Sequence, residues 1–196
     1  MARKSTIQRN TKETQIEVDL NLDGTGKYKI DTPIPFFNHM LEQFSRHGLF
    51  DITLKAKGDT HIDYHHTVED VGITLGEAFE KALGDKAGIK RYGHFSLPMD
   101  EVLTNVALDF CNRPALVFHS LLKTGKIKDF DVELVYEFFQ GFTNAAKINL
   151  HINVMYGRNK HHIVESMFKS FAKACDRATQ IDERMKGALP STKGKL

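Results

Sequence analysis

A histidine pair followed by a glutamate occurs twice in this chain, as His65, His66 and Glu69 and again as His161, His162 and Glu165. Imidazole and carboxylate together are donors for a catalytic divalent ion. After each pair the apolar residues keep a helical period: Val68, Val71, Leu75, Ala78 and Phe79, then Val164, Met167, Phe168, Phe171 and Cys175. Each motif therefore opens an amphipathic helix. The first histidine and the glutamate are then i and i+4, which places His65 beside Glu69 and His161 beside Glu165. The second histidine points roughly 100° away. Each helix start offers one histidine and a carboxylate to one ion and a further histidine to another, so two such helices would frame a dinuclear site.

The repeat extends upstream. Phe37, Met40, Leu41 and Phe44 share the helical spacing of Val135, Phe138, Phe139 and Phe142, which sets His39 opposite Glu137 as further candidate ligands. Between those helices and the histidine pairs run strand-like alternations, Ile52, Leu54 and Ala56, then Ile148, Leu150, Ile152 and Val154. Before the first helix, Ile16 to Leu22 alternates, stops at Asp23-Gly24-Thr25-Gly26 and resumes through Tyr28 and Ile30, the signal of a hairpin. Val102 to Phe110, Asn112-Arg113-Pro114 and Ala115 to Val117 repeat it. Both halves read strand, strand, helix, strand, helix, with the boundary near Gly93 to Asp100. The expected fold is α+β: two pseudo-symmetric halves, 1–93 and 94–196, each a roughly four-stranded sheet covered on one face by two helices.

Composition narrows the function classes. With 196 residues, 41% of them hydrophobic, the chain can bury one sizeable core or two small ones. A formal charge of +2 is too mild to indicate a nucleic acid or an anionic membrane as partner, and leaves small anionic substrates open. Cys111 and Cys175 make no disulfide framework, Met1 to Arg9 has no apolar leader, and no stretch approaches a membrane span. A cytoplasmic setting is the expectation. Ligation by imidazole and carboxylate without thiolate disfavours structural zinc and fits manganese, iron or catalytic zinc, with mixed nitrogen and oxygen donors leaning toward octahedral manganese. Such ions polarise a bound group or steady an anion as it forms.

Several stretches together resemble one family. They are Arg9-Asn10-Thr11-Lys12-Glu13-Thr14, Phe36-Phe37-Asn38-His39-Met40-Leu41, Gly58-Asp59-Thr60-His61-Ile62-Asp63 leading into His65 to Asp70, Gly157-Arg158-Asn159-Lys160-His161-His162 with Glu165, and Pro190-Ser191-Thr192-Lys193-Gly194. The family is imidazoleglycerol-phosphate dehydratase, in its monofunctional form. The resemblance implies a hydro-lyase of histidine biosynthesis that converts imidazole glycerol phosphate to imidazole acetol phosphate with two manganese ions, iron or zinc being second choices. It also implies a homo-oligomer, a 24-subunit shell built from trimers with active sites at subunit interfaces.

Carried over position by position, the metal ligands are His39, His65, His66, Glu69, His161, His162 and Glu165, with Glu137 as a further candidate. We expect crossed sharing: one ion on His65, Glu69 and His162, the other on His161, Glu165, His66 and His39. Glu13 resembles the family's acid/base glutamate, and Glu69 and Glu165 are further candidates for proton transfer. The substrate phosphate is assigned to Arg91, Arg113, Ser191 and Lys193 of the C-terminal tail, with Lys169, Gln43 and His47 nearby. The chemistry agrees with these groups. An imidazole stripped of its N–H proton between two metals pushes electrons toward loss of the adjacent hydroxyl, and a general acid and base complete the passage through enol to ketone. Tyr64, Tyr136 and Cys111-Asn112 depart from the commoner family pattern. A di-metal hydrolase or oxidase and a metal-storage module are the rival classes.

Overall fold

A computed structural model describes residues 3–196. In the first half, β1 (Lys4–Asn10), β2 (Thr14–Asn21), β3 (Tyr28–Asp31) and β4 (Asp51–Gly58) form a sheet of order β1-β2-β4-β3. Helix α1 (Pro35–Gly48) precedes β4, and α2 (His65–Leu83) follows it. The second half repeats this plan with β5 (Tyr92–Met99), β6 (Val102–Asp109), β7 (Ala115–His119), α3 (Leu134–Ala146), β10 (Asn149–Tyr156) and α4 (Lys160–Thr179), in sheet order β5-β6-β10-β7. A small ribbon, β8 (Lys126–Ile127) with β9 (Phe130–Asp131), lies before α3. In both sheets the first two pairings are antiparallel and the last is parallel. The halves are therefore pseudo-symmetric α+β units.

Two expectations need correction. The segments around Asp23-Gly24-Thr25-Gly26 do not pair as a hairpin, because β4 inserts between β2 and β3. The turn is satisfied from β4 instead: Asp51 Oδ1 accepts from the backbone N–H groups of Thr25 and Lys27 at 2.8 and 2.9 Å. Gly24 permits that approach, since a Cβ there would lie 2.4 Å from the Asp51 nitrogen. In the second half β10 likewise separates β6 from β7. The stretch from Gly93 to Asp100, read as a boundary, is largely β5, the opening strand of the second sheet. Both β1 and β5 are edge strands whose alternation is weak because most of their side chains stay partly exposed. Pro98 is tolerated on such an edge.

Each sheet has one buried and one exposed face, as the strict alternation along β2 and β4 requires. Helix α2 packs on β1 and β2 and against α3, while α4 packs on β5 and β6 and against α1. Each sheet is thus covered by its own two helices, the helices of the two halves meet between the sheets, and the core is single. At its centre stand four phenylalanines, one from each helix. Phe44 lies 5.1 Å from Phe171 and 5.9 Å from Phe79, and Phe142 lies 5.0 Å from Phe171 and 5.3 Å from Phe79. Glycines set the closest crossing. A Cβ on Gly72 would stand 2.4 Å from the Phe138 carbonyl oxygen, and one on Gly141 would stand 2.8 Å from that of Glu69.

Gly72→Ala tests the crossing. Alanine gains about 1 kcal/mol of helix propensity, but an overpacked contact costs about 1–3 kcal/mol. We expect a net loss of stability in urea unfolding; a gain would show that α2 and α3 can separate without cost.

Candidate metal and substrate site

The two histidine motifs occupy the first turns of α2 and α4, and both starts are held by a polar residue two positions earlier. Asp63 Oδ1 accepts from the His65 N–H at 2.7 Å, and Asn159 Oδ1 accepts from the His161 and His162 N–H groups at 2.9 and 3.4 Å. The i, i+4 pairs form: His65 Nε2 lies 3.7 Å from Glu69 Oε2, and His161 Nε2 lies 3.0 Å from Glu165 Oε2. Helix α1 brings His39 to the second pair, 3.5 Å from Glu165 Oε2. His39, His161 and Glu165 thereby offer three donor atoms within 4.8 Å of one another.

That cluster is fixed from several sides. Phe36 meets the His161 ring edge to face at 5.3 Å. Gln43 Nε2 stands 3.5 Å from His39 Nδ1, and Gln43 Oε1 stands 3.1 Å from His47 Nε2. The other oxygen of Glu165 contacts the Lys169 ammonium at 2.5 Å. Burial disfavours ionisation of Glu165, but Lys169, His161 and His39 outweigh it and hold its pKa below the ordinary value. His47 is pushed the other way, first by burial and then by the charges of Lys169 and Lys173, so its imidazole loses its proton more readily.

The second histidines of the pairs face elsewhere. His66 Nδ1 is 3.0 Å from Asp59 Oδ2 and 3.8 Å from Glu13 Oε2, and Glu13, Asp59 and His66 form the second three-donor group. His162 Nδ1 is 2.8 Å from Glu101 Oε2, with Asp100 Oδ2 at 3.5 Å from its Nε2. The Asp59 hydrogen bond raises the pKa of His66 and the Glu101 bond that of His162, while His162 draws Glu101 down to about 2. Among the described residues the crossed ligand sets expected from the sequence are not brought together within one copy of the chain: the three-donor groups are His39, His161 and Glu165, and Glu13, Asp59 and His66. Glu137 opens α3 and lines, with His65, Tyr64 and Tyr136, a cleft of about 630 Å³.

The cationic residues divide into two groups. Arg91 is committed within the fold: its Nε and Nη2 donate to Asp109 at 2.6 and 3.0 Å, and Nη1 donates to the Pro190 carbonyl at 2.8 Å. It thereby ties the C-terminal tail to β6. In that tail Ser191 Oγ donates to the Lys195 carbonyl at 2.7 Å and accepts from the Lys193 N–H at 3.2 Å. Among the described residues neither Arg113 nor Lys193 has a carboxylate partner, so their charges are available to an anion.

A family model described as imidazoleglycerol-phosphate dehydratase matches residues 32–175, a span that holds both histidine motifs. The chain belongs to the imidazoleglycerol-phosphate dehydratase family. Its relatives include the imidazoleglycerol-phosphate dehydratase of Geobacter sulfurreducens, 59% identical over 196 residues and covering all of both chains. That of Hydrogenovibrio crunogenus is 57% identical, over 99% of this chain and all of the relative. Among solved structures, the dehydratase of Staphylococcus aureus superposes with a TM-score of 0.83 at 35% identity, covering 91% of this chain and 99% of that one. The Pyrococcus furiosus protein, in complex with (S)-C348, gives 0.83 at 35% identity over 97% and 100%.

Sequence reasoning pointed to the histidine motifs and His39, and it set Gln43, His47 and Lys169 near the phosphate, where the structure places them around His39 and Glu165. It missed the carboxylates that hold His66 and His162. Asp59 lies in the Gly58 to Asp63 stretch with nothing local to mark its role, and Glu101 carries no local signal, since its contact to His162 spans the sheet and the helix. The donor set suits hard or borderline divalent ions: nitrogen and oxygen atoms close together, no thiolate, and imidazoles about two-fifths exposed.

Asp109→Ala tests the anchoring of the tail. Losing charged hydrogen bonds of this type costs about 1.5–3 kcal/mol, and Arg91 would then release Pro190. We expect amide exchange across residues 188–195 to rise selectively; unchanged protection would show that the tail holds without the ion pair.

Proposed function

We propose that this chain is a hydro-lyase of histidine biosynthesis that dehydrates D-erythro-imidazole glycerol phosphate to imidazole acetol phosphate. The observation that carries the reading is the convergence of His39, His161 and Glu165 in a chain that repeats the same motif at His65, His66 and Glu69. Family membership supports the substrate.

In this reading His39, His65, His66, Glu69, His161, His162 and Glu165 hold two manganese ions, and Glu137 is a further donor beside His65. When bound, the ions would supply positive charge that makes the substrate's ring N–H more acidic and steadies the anion that develops. The chain's own groups do the rest. Glu13 is half-exposed and stands beside His66, so its carboxylate is free to take the proton from the side-chain carbon and return it during ketone formation. Glu69 and Glu165, next to the same histidines, are further places for a proton to rest. Arg91, Arg113, Lys193 and the Ser191 hydroxyl receive the phosphate, and Arg91 also holds the tail that carries two of them. Lys169, Gln43 and His47 line the approach from the α1 side.

Because the crossed ligand sets do not close within one copy, we further propose that another copy completes them. The assembly would be a 24-subunit homo-oligomer of trimers with its sites at the interfaces. No helix among the described residues is long and apolar enough to cross a membrane, which accords with the proposed cytoplasmic setting. No nucleic-acid partner is proposed.

The test is imidazole acetol phosphate formation by metal-stripped protein, before and after manganese is added, with ions counted per chain. Activity should return as occupancy approaches two; filled sites without product would sink the assignment. Two variants separate the roles. Glu13→Gln should keep both ions and lose about 10²–10⁴-fold in turnover, the usual range for an acid/base group. Arg113→Ala should raise the Michaelis constant with metal content unchanged, and unaltered kinetics in either variant would remove that residue from its role.

A further inference from the structure

The duplicated frame allows residues of the two halves to be compared at equal places, and one such pair behaves unequally. Glu13 is the last residue before β2 and Glu101 the last before β6, strands that hold the same position in their sheets. Both glutamates reach toward Nδ1 of the second histidine in their half. Glu101 makes that contact at 2.8 Å, and its other oxygen accepts from the Arg158 and Asn159 N–H groups at 3.3 and 2.8 Å, which secures the turn into α4. Glu13 stays 3.8 Å from His66 and has no side-chain hydrogen bond among the described residues.

The difference is Asp59. It stands one residue past β4 and occupies His66 Nδ1 at 3.0 Å. At the matching place, one residue past β10, stands Gly157 with φ +148°, where a Cβ would lie 2.6 Å from the Val102 side chain. No carboxylate can be mounted there, so in the second half the turn glutamate has to serve. A carboxylate only accepts, so a neutral imidazole hydrogen-bonded to it carries its proton on Nδ1 and keeps the lone pair on Nε2; for His162 the 2.8 Å contact of Nδ1 to Glu101 outweighs exposed Asp100, 3.5 Å from Nε2. Partners of this kind fix the tautomer and ring orientation of a metal ligand.

We propose that Asp59 and Glu101 are the positioning residues of the two motifs, each holding the Nδ1–H of its half's second histidine, and that Asp59 thereby leaves Glu13 free for proton transfer. This rests on the reading of His66 and His162 as ligands and of Glu13 as the acid/base group. Asp59 is itself well placed as a fixed support: its side chain is 11% exposed, and its second oxygen is buried without a partner.

The test is manganese affinity of the assembled protein, measured by calorimetric titration with manganese alone. Asp59→Ala and Glu101→Ala should each bind manganese about 10–100-fold more weakly. Asp59→Asn and Glu101→Gln, which keep an accepting oxygen, should recover most of that loss. Glu13→Gln should bind manganese as the unaltered protein does while turnover falls. Alanine variants with unchanged affinity, or amide variants as weak as alanine, would overturn the proposal. His66→Ala and His162→Ala distinguish the two failures: if these too bind normally, the ligand reading is wrong, whereas if only these weaken, the positioning role alone is wrong. Should an alanine variant fail to fold, the histidine ¹⁵N spectrum of the unaltered, metal-free protein decides, since neutral His66 and His162 must show the Nδ1–H tautomer and the Nε2–H form would exclude it.

Discussion

Each four-stranded sheet buries only one face, and the helices covering the two sheets share a single apolar core. That shared core is the constraint on which everything else rests. Phe44, Phe79, Phe142 and Phe171 meet from four different helices, so no helix can rotate without opening voids against two neighbours. Gly72, Gly76 and Gly141 let α2 and α3 approach until backbone oxygens nearly touch the facing helix. Locking the helices in this way fixes where their first turns emerge, and the donors sit on those first turns. His39 reaches Glu165 only because α1 packs along α4.

The parts of this arrangement that are periodic in sequence were legible. Amphipathic helices, the inward rows of β2, β4, β6 and β10, and the doubled histidine motif all announce themselves through local spacing. Strand order was not legible, because Asp23-Gly24-Thr25-Gly26 carries the composition of a tight turn whichever strand comes next. What excludes the hairpin is Asp51, distant in sequence, which takes the turn's N–H groups and brings β4 to the centre. Edge strands β1 and β5 were hidden for a related reason: with one side unpaired and most side chains half-wet, they have little need for apolar alternation. In the site, Arg91 shows the limit of reading by residue type. The resemblance assigns it to the phosphate, and only the topology reveals that it also donates to Asp109 and to the Pro190 carbonyl of the tail.

A duplicated frame has the further property that its halves can diverge without moving the scaffold. Asp63 and Asn159 cap equivalent helix starts with different chemistry, and His39 and Glu137 occupy equivalent places on α1 and α3. The second motif closes on His39 with Glu165 buried, whereas the first leaves Glu69 about two-fifths exposed and His65 beside an open cleft.

Lys169 illustrates how a single charge can serve both structure and ligand. Its ammonium has three N–H donors, of which Glu165 Oε1 engages one, with Met99 Sδ 3.7 Å away. Anchoring Oε1 turns Oε2 toward His161 and His39, so the carboxylate presents one oxygen to the donor cluster rather than two. The same ammonium keeps Glu165 ionised despite its burial, and a carboxylate has to be ionised to bind a cation well. A neutral residue at this position would leave the cluster's only buried carboxylate without the charge that orients it, and a second carboxylate would repel it.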